Sequence, residues 1–172
     1  MPTDLTSVIA ACSRWLLTAY PAPAGALSRA LAEAQARQAA TLAAALRYPT
    51  DMDVQLLHLL APGGSARLDW LTGIDPHPDD ADAAWRTWVD ETVVSWAACL
   101  LADPALATRA HQALTKSRHH TAADGLQRLT HPGAHDTEAA ALLRHPDLLE
   151  GVAALHRSQL LELLQTDGVP QP

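Results

Sequence analysis

The chain contains no phenylalanine, and aromatic residues of any kind make up only 4% of its 172 residues. Five of them are Trp and two are Tyr. Val and Ile are sparse, so the alternating β-branched and aromatic runs that build strands are missing. The apolar share is nevertheless 48%, and it is mostly Ala and Leu, both strong helix formers. These absences exclude an all-β or α/β reading and leave an all-α one.

Cations are also few. Of the 12 basic residues, 11 are Arg and only Lys116 is Lys, and they are scattered along a chain of net charge −7. No stripe or cluster is available to neutralise a phosphate backbone, so a nucleic-acid partner is not expected. The two cysteines, Cys12 and Cys99, fall on apolar helical positions and form no framework, so buried free thiols are expected. No window approaches the roughly 18 apolar residues of a membrane span. The first apolar stretch has Asp4 before it and Arg14 inside it, which does not suit a secretion signal. A cytoplasmic location is the expectation.

Catalytic motifs are scarce as well. There is no Gly-x-Ser-x-Gly elbow, no glycine-rich phosphate loop and no paired Glu-x-x-Glu pattern, so no cofactor is implied.

Proline and glycine cut the remainder into helices. A stripe of Leu5, Val8, Ile9, Cys12, Trp15, Leu16, Ala19 and Tyr20 marks a first helix from about Asp4, stopped by Pro21. An Ala-rich helix follows from about Ala24 to Arg47, with Leu27, Leu31, Ala34, Leu42 and Leu46 as its inner face. Thr50 is an N-cap for a short helix, and Ser65 for a short turn through Leu68 and Leu71, ended by Gly73. Asp103-Pro104 reads as cap plus first position of a helix to about Lys116. Thr121 opens a weaker helix interrupted by Gly125, Asp136 opens another ending near Arg144, and His145-Pro146 opens the last, through to Gln165. The expected fold is a single-domain, irregular or orthogonal bundle of about seven to nine helices over residues 1–166, with a flexible tail at 167–172.

The expected centre of that bundle is the stretch Asp79 to Leu101, read as one helix. At 100° per residue, Trp85, Trp88 and Trp96 fall within about 80° of one another, with Asp82, Arg86, Asp90 and Glu91 outside their arc. On the last helix, Leu148, Leu149, Val152, Leu155, Leu160 and Leu163 form a stripe with His156 near its centre. Leu161 and Leu164 widen it beyond half the circumference, more than a monomer surface helix needs.

Nine His are present, seven of them between residues 111 and 156. His131 and His135 flank Pro132-Gly133 on a loop, with His119, His120 and His145 as further ligand candidates; solvated loop histidines are the expectation. His156 is read as a buried histidine with one satisfied hydrogen bond, its other reading being a pH-sensitive or ligand-facing group.

Two short stretches carry resemblances. Pro76-His77-Pro78-Asp79-Asp80 resembles the His-Pro-Asp-Asp-Glu signature of zinc-dependent N-deacetylases, which would imply zinc ligation by His77 and an Asp after a β-strand. Here Ala81 replaces the Glu and no strand precedes the motif, so the acids are read as the first turn of a helix and no metal is expected. Leu16-Leu17-Thr18-Ala19-Tyr20-Pro21 is similar, with one extra residue, to the end of the first helix in chaperones for molybdoenzymes; their later Tyr-Val-x-x-x-Phe-Asp stretch is absent, and membership is not claimed.

The functional expectation is a non-catalytic helical partner-binding protein (adaptor, chaperone or regulatory subunit) using an apolar helical face, with a protein partner or a second copy of itself. The candidate residues are Trp85, Trp88, Trp96, His156, Leu161 and Leu164. The alternative is a small apolar ligand in a Trp-lined pocket, and the third reading a metal-assisted enzyme using the histidine-rich second half.

Overall fold

A computed structural model describes residues 5–22, 25–48, 68–71, 73, 89–116 and 125–166. They form eight helices: α1 (Thr6–Ala19), α2 (Ala26–Arg47), α3 (Glu91–Ala102), α4 (Pro104–Lys116), α5 (Gln127–Thr130), α6 (Ala134–Ala139), α7 (Pro146–Ala153) and α8 (Arg157–Thr166). Residues 68–71 add one helical turn, and no strand occurs among the described residues. The fold is all-α.

α2 is the hub and packs against α1, α3, α4, α5 and α6. Its buried face is alanine: Ala32, Ala36, Ala39, Ala40, Ala43 and Ala44 are fully covered. The leucine face expected from the sequence is corrected accordingly. Only Leu42 of that set is fully buried, and Leu27 is 73% exposed. A helix with five neighbours needs short side chains around much of its circumference, and methyl groups let the backbones approach where leucines would hold them apart.

Two side-chain amides, that of buried Gln35 and that of half-buried Gln38, tie α2 to the second half of the chain. Gln35 Nε2 donates to the Asp136 carbonyl at 2.7 Å, and Gln35 Oε1 accepts from the Arg144 guanidinium. Arg144 also donates to the Leu101 carbonyl at 2.8 Å, and burial pulls its guanidinium below its ordinary value. Gln38 accepts from Leu129 N at 3.0 Å and donates to the Gly125 carbonyl at 2.6 Å. Gly125 adopts φ +82°, a left-handed conformation that glycine takes without steric cost.

Several boundaries follow local chemistry. Asp103 Oδ1 accepts from the N–H groups of Ala105 (2.9 Å) and Leu106 (3.1 Å), and Pro104 takes the first position of α4. Asp103→Ala is expected to cost about 1 kcal/mol. The check is a shift in denaturation midpoint at unchanged slope, with Asp103→Asn keeping most of the stability.

Other boundaries differ from expectation. The Trp-bearing helix does not run unbroken from Asp79: Asp90 is extended (φ −77°, ψ 125°), its carboxylate accepts from Thr92 N at 2.7 Å, and α3 starts at Glu91. A residue assigned to the polar face of a longer helix is thus its N-cap. The helix expected from Asp136 starts at Ala134, with Asp136 Oδ2 accepting from Gly133 N at 3.2 Å, and ends at Ala139. The last helix is two, α7 and α8, divided by a turn at 154–156. The helix expected from Thr50, the starts of the helix from Thr121 and of the turn from Ser65, and the tail at 167–172 lie outside the described residues.

The core is drawn from α1, α2, α3, α4, α5, α7 and α8, centred on the α2–α3 contact. Among the described residues, no helix is long and apolar enough to cross a membrane.

Candidate functional site

Two sequence candidates meet where α3 faces the α7–α8 turn. Glu91, Ser95 and Cys99 sit at i, i+4 and i+8 on α3, so they form one row, with Trp96 beside it. Ser95 Oγ donates to the Ala153 carbonyl (3.1 Å) and accepts from His156 N (3.0 Å). Cys99 Sγ donates to the same Ala153 carbonyl at 3.3 Å. Trp96 Nε1 donates to the His156 carbonyl at 3.0 Å. Backbone groups released by ending α7 thus find partners on α3.

His156 therefore lies in the turn rather than at the centre of a continuous helical stripe. Its Nε2 is 3.2 Å from Glu91 Oε1, and the two side chains are 24% and 20% exposed. Asp90 is close by; burial raises its carboxyl above the ordinary value, while the Thr92 amide, Arg47 and His156 oppose the rise. Arg157, at the start of α8, makes a bidentate pair with Glu150 at 2.8 Å.

Trp96 is 5% exposed, with its one donor occupied. Leu161 and Leu164, on α8, are partly buried against the core. Trp85 and Trp88 lie outside the described residues, as do His77, Asp79 and Asp80. The corner brings together Trp96 and His156, and sequence reasoning missed Ser95, Cys99 and Glu91. The signal for those three was their four-residue spacing.

The chemistry of this corner is positional. Both cysteines are buried and free, and burial pushes both thiols up, so neither is an activated nucleophile. Among the described residues, no group of three His, Cys, Asp or Glu is placed to hold a metal. The histidines expected on a loop are apart, and His135 lies on α6 instead: His131 Nδ1 lies 3.0 Å from Thr130 Oγ1, His135 faces Glu138 at 3.8 Å, and His145 faces Asp147 at 3.9 Å. His119 and His120 lie outside the described residues.

A second feature was not anticipated. Trp70 is 78% exposed, and Leu71 beside it is exposed too. The adjoining residues are anchored: Leu68 and Asp69 are buried, and Asp69 Oδ1 accepts from Trp15 Nε1 at 2.7 Å. Trp15 in turn meets Tyr20 edge-on, ring centroids 6.1 Å apart. Tyr20 OH donates to the Leu148 carbonyl at 2.8 Å, and burial raises its phenol to about 12. A large indole is thus held in solvent by a buried polar bond one residue away.

A third feature is a groove of about 400 Å³ between α1 and α2. Its floor includes Ile9, Ala10, Ser13 and Leu17, and Arg14 and Arg37 line it as well.

No protein-family model, curated protein or solved structure matches the chain.

Proposed function

We propose that this is a non-catalytic helical partner-binding protein, acting as an adaptor, chaperone or regulatory subunit. The observation that supports it is the exposed Trp70–Leu71 pair, fixed from below by the Asp69–Trp15 bond. Trp is the residue type most enriched among interface hot spots, and pre-ordering an indole removes part of the entropy cost of binding. Solvating two large apolar side chains gains nothing for folding, so a partner is the economical account of their placement.

A second copy of the chain is the first partner to test, through Trp70 or through the Leu161 and Leu164 edge of α8. Sedimentation velocity at micromolar concentration, followed by affinity capture with the purified chain as bait, compares the wild type with Trp70→Ser/Leu71→Ser and with Leu161→Glu. The expected result is a dimer or a defined hetero-complex that the double variant loses while its helical circular dichroism and melting stay unchanged. A complex that survives the double variant moves the interface away from Trp70. A monomer that captures no defined partner overturns the reading.

A further inference from the structure

We propose that two copies of the chain exchange α8. The turn at 154–156 straightens, α7 and α8 become one helix, and each copy's α8 fills the seat vacated on the other. The proposal rests on the partner-binding reading in taking a second copy as the partner, but it does not involve Trp70. Three observations carry it.

The turn is close to helix already. Residues 154–156 are Ala, Leu and His, with neither proline nor glycine to enforce a break. Ala154 has helical angles (φ −65°, ψ −23°), and its N–H bonds the Glu150 carbonyl, four residues back, at 2.9 Å. Leu160 N bonds the His156 carbonyl in the same register at 3.3 Å. Between them Leu155 N reaches the Val152 carbonyl, three residues back, at 3.2 Å. The interruption is confined to this one turn.

The backbone groups freed there have a second set of partners. In the closed form Ser95 and Cys99 bond the Ala153 carbonyl, and Ser95 accepts from His156 N. In one continuous helix the Ala153 carbonyl would accept from Arg157 N, and His156 N would donate to the Val152 carbonyl. Both arrangements satisfy the backbone, which makes the turn a two-state element. Straightening gives up the bonds of His156 to Trp96 and Glu91, and that loss keeps an isolated chain closed.

α8 cannot leave without a new seat. Leu160 is fully buried, and Leu161, Leu163 and Leu164 are partly buried; the neighbours of α8 include α3 and α4. A straight helix from Pro146 to Gln165, roughly 30 Å long, carries those leucines off their own bundle. Water is an unfavourable place for them. The surface that matches them residue for residue is the vacated seat of a second copy, and the exchange is reciprocal. A hinge of three residues is short, which favours swapping over closure when two copies meet.

The test is refolding from denaturant at micromolar concentration, when α8 is free to take either seat, followed by size-exclusion chromatography. A slowly exchanging dimer is expected beside the monomer. Nitroxide labels at Asp147→Cys and Gln165→Cys, in an excess of unlabelled chain, report the hinge. The 18 steps from 147 to 165 span roughly 27 Å in one straight helix and less across a turn. The dimer is expected to show the long distance and the monomer the shorter one. Ser95→Ala weakens the closed turn and should raise the association constant at least about tenfold. Arg157→Pro should abolish the dimer, because proline fits the first position of α8 but lacks the N–H that the continuous helix needs. Arg157→Ala, which controls for the lost Glu150 pair, should dimerise like the wild type, and so should Trp70→Ser/Leu71→Ser. The inference is overturned by the absence of a dimer in both the wild type and Ser95→Ala, by the shorter distance in the dimer, or by a dimer that survives Arg157→Pro. A dimer lost in Trp70→Ser/Leu71→Ser overturns it as well. Trp70-dependent complexes of chain that was never denatured, persisting where the swap fails, would leave the partner-binding reading standing without it.

Discussion

Trp96→Ala is expected to cost about 3–5 kcal/mol of folding stability, the range for truncating a large aromatic in a packed core. Trp96 is almost wholly buried on α3, and its indole N–H holds the His156 carbonyl at the turn between α7 and α8. Truncation removes both the packing and that donor. The second loss can be separated from the first. Trp96→Phe keeps most of the apolar volume but not the N–H, so it is expected to cost about 1–2 kcal/mol. It should also raise hydrogen exchange at Leu160, whose N–H is bonded to the same His156 carbonyl at 3.3 Å. Denaturant melts give both costs. A loss below about 1 kcal/mol for Trp96→Ala would place the indole at a surface and contradict the described packing.

Trp15→Ala is expected to reach the upper end of the same range, about 4–5 kcal/mol. Trp15 is fully buried on α1, packs edge-on against Tyr20, and donates at 2.7 Å to a carboxylate that is itself buried. Removing it leaves a cavity and takes a donor from Asp69 in a place where water cannot easily replace it. The neighbouring substitution distinguishes the two causes. Asp69→Asn retains a side-chain acceptor for the indole and should cost clearly less than Trp15→Ala, whereas Asp69→Leu should approach it. If Trp15→Ala and Asp69→Leu both melt like the wild type, the turn at 68–71 is not anchored as described. The same result would remove the rigid mounting on which the Trp70 reading depends.

Some of the candidate site is legible in the sequence. Trp96 and His156 stand out by their places in apolar stripes, and the Trp96 indole does meet the His156 carbonyl. The reason they meet was not legible. Their contact is a side-chain donor on one helix bonded to a backbone carbonyl 60 residues away, and no periodicity encodes such a bond. Trp70 escaped notice for the opposite reason: a Trp in a short segment reads as core by composition, and only the packing of its neighbours leaves it in water.

What the sequence determined by itself is local. Ala and Leu content with few β-branched residues was enough for an all-α chain. The ends of α1 and α2 and the Asp103-Pro104 and His145-Pro146 starts follow from capping and proline chemistry, which acts within four residues. What the tertiary structure decided is every competition between equally helical alternatives. The stretch from Pro146 to Gln165 has no proline at 154–156 and is periodic throughout, yet it breaks there, where Ser95 and Cys99 bond the Ala153 carbonyl and Ser95 the His156 N–H that the break releases. α2 had both a leucine face and an alanine face, and the alanine face was buried because five helices converge on it. Helix propensity is worth tenths of a kcal/mol per residue, while the burial of a side chain or a paired backbone group is worth one or more, so packing decides wherever the two compete.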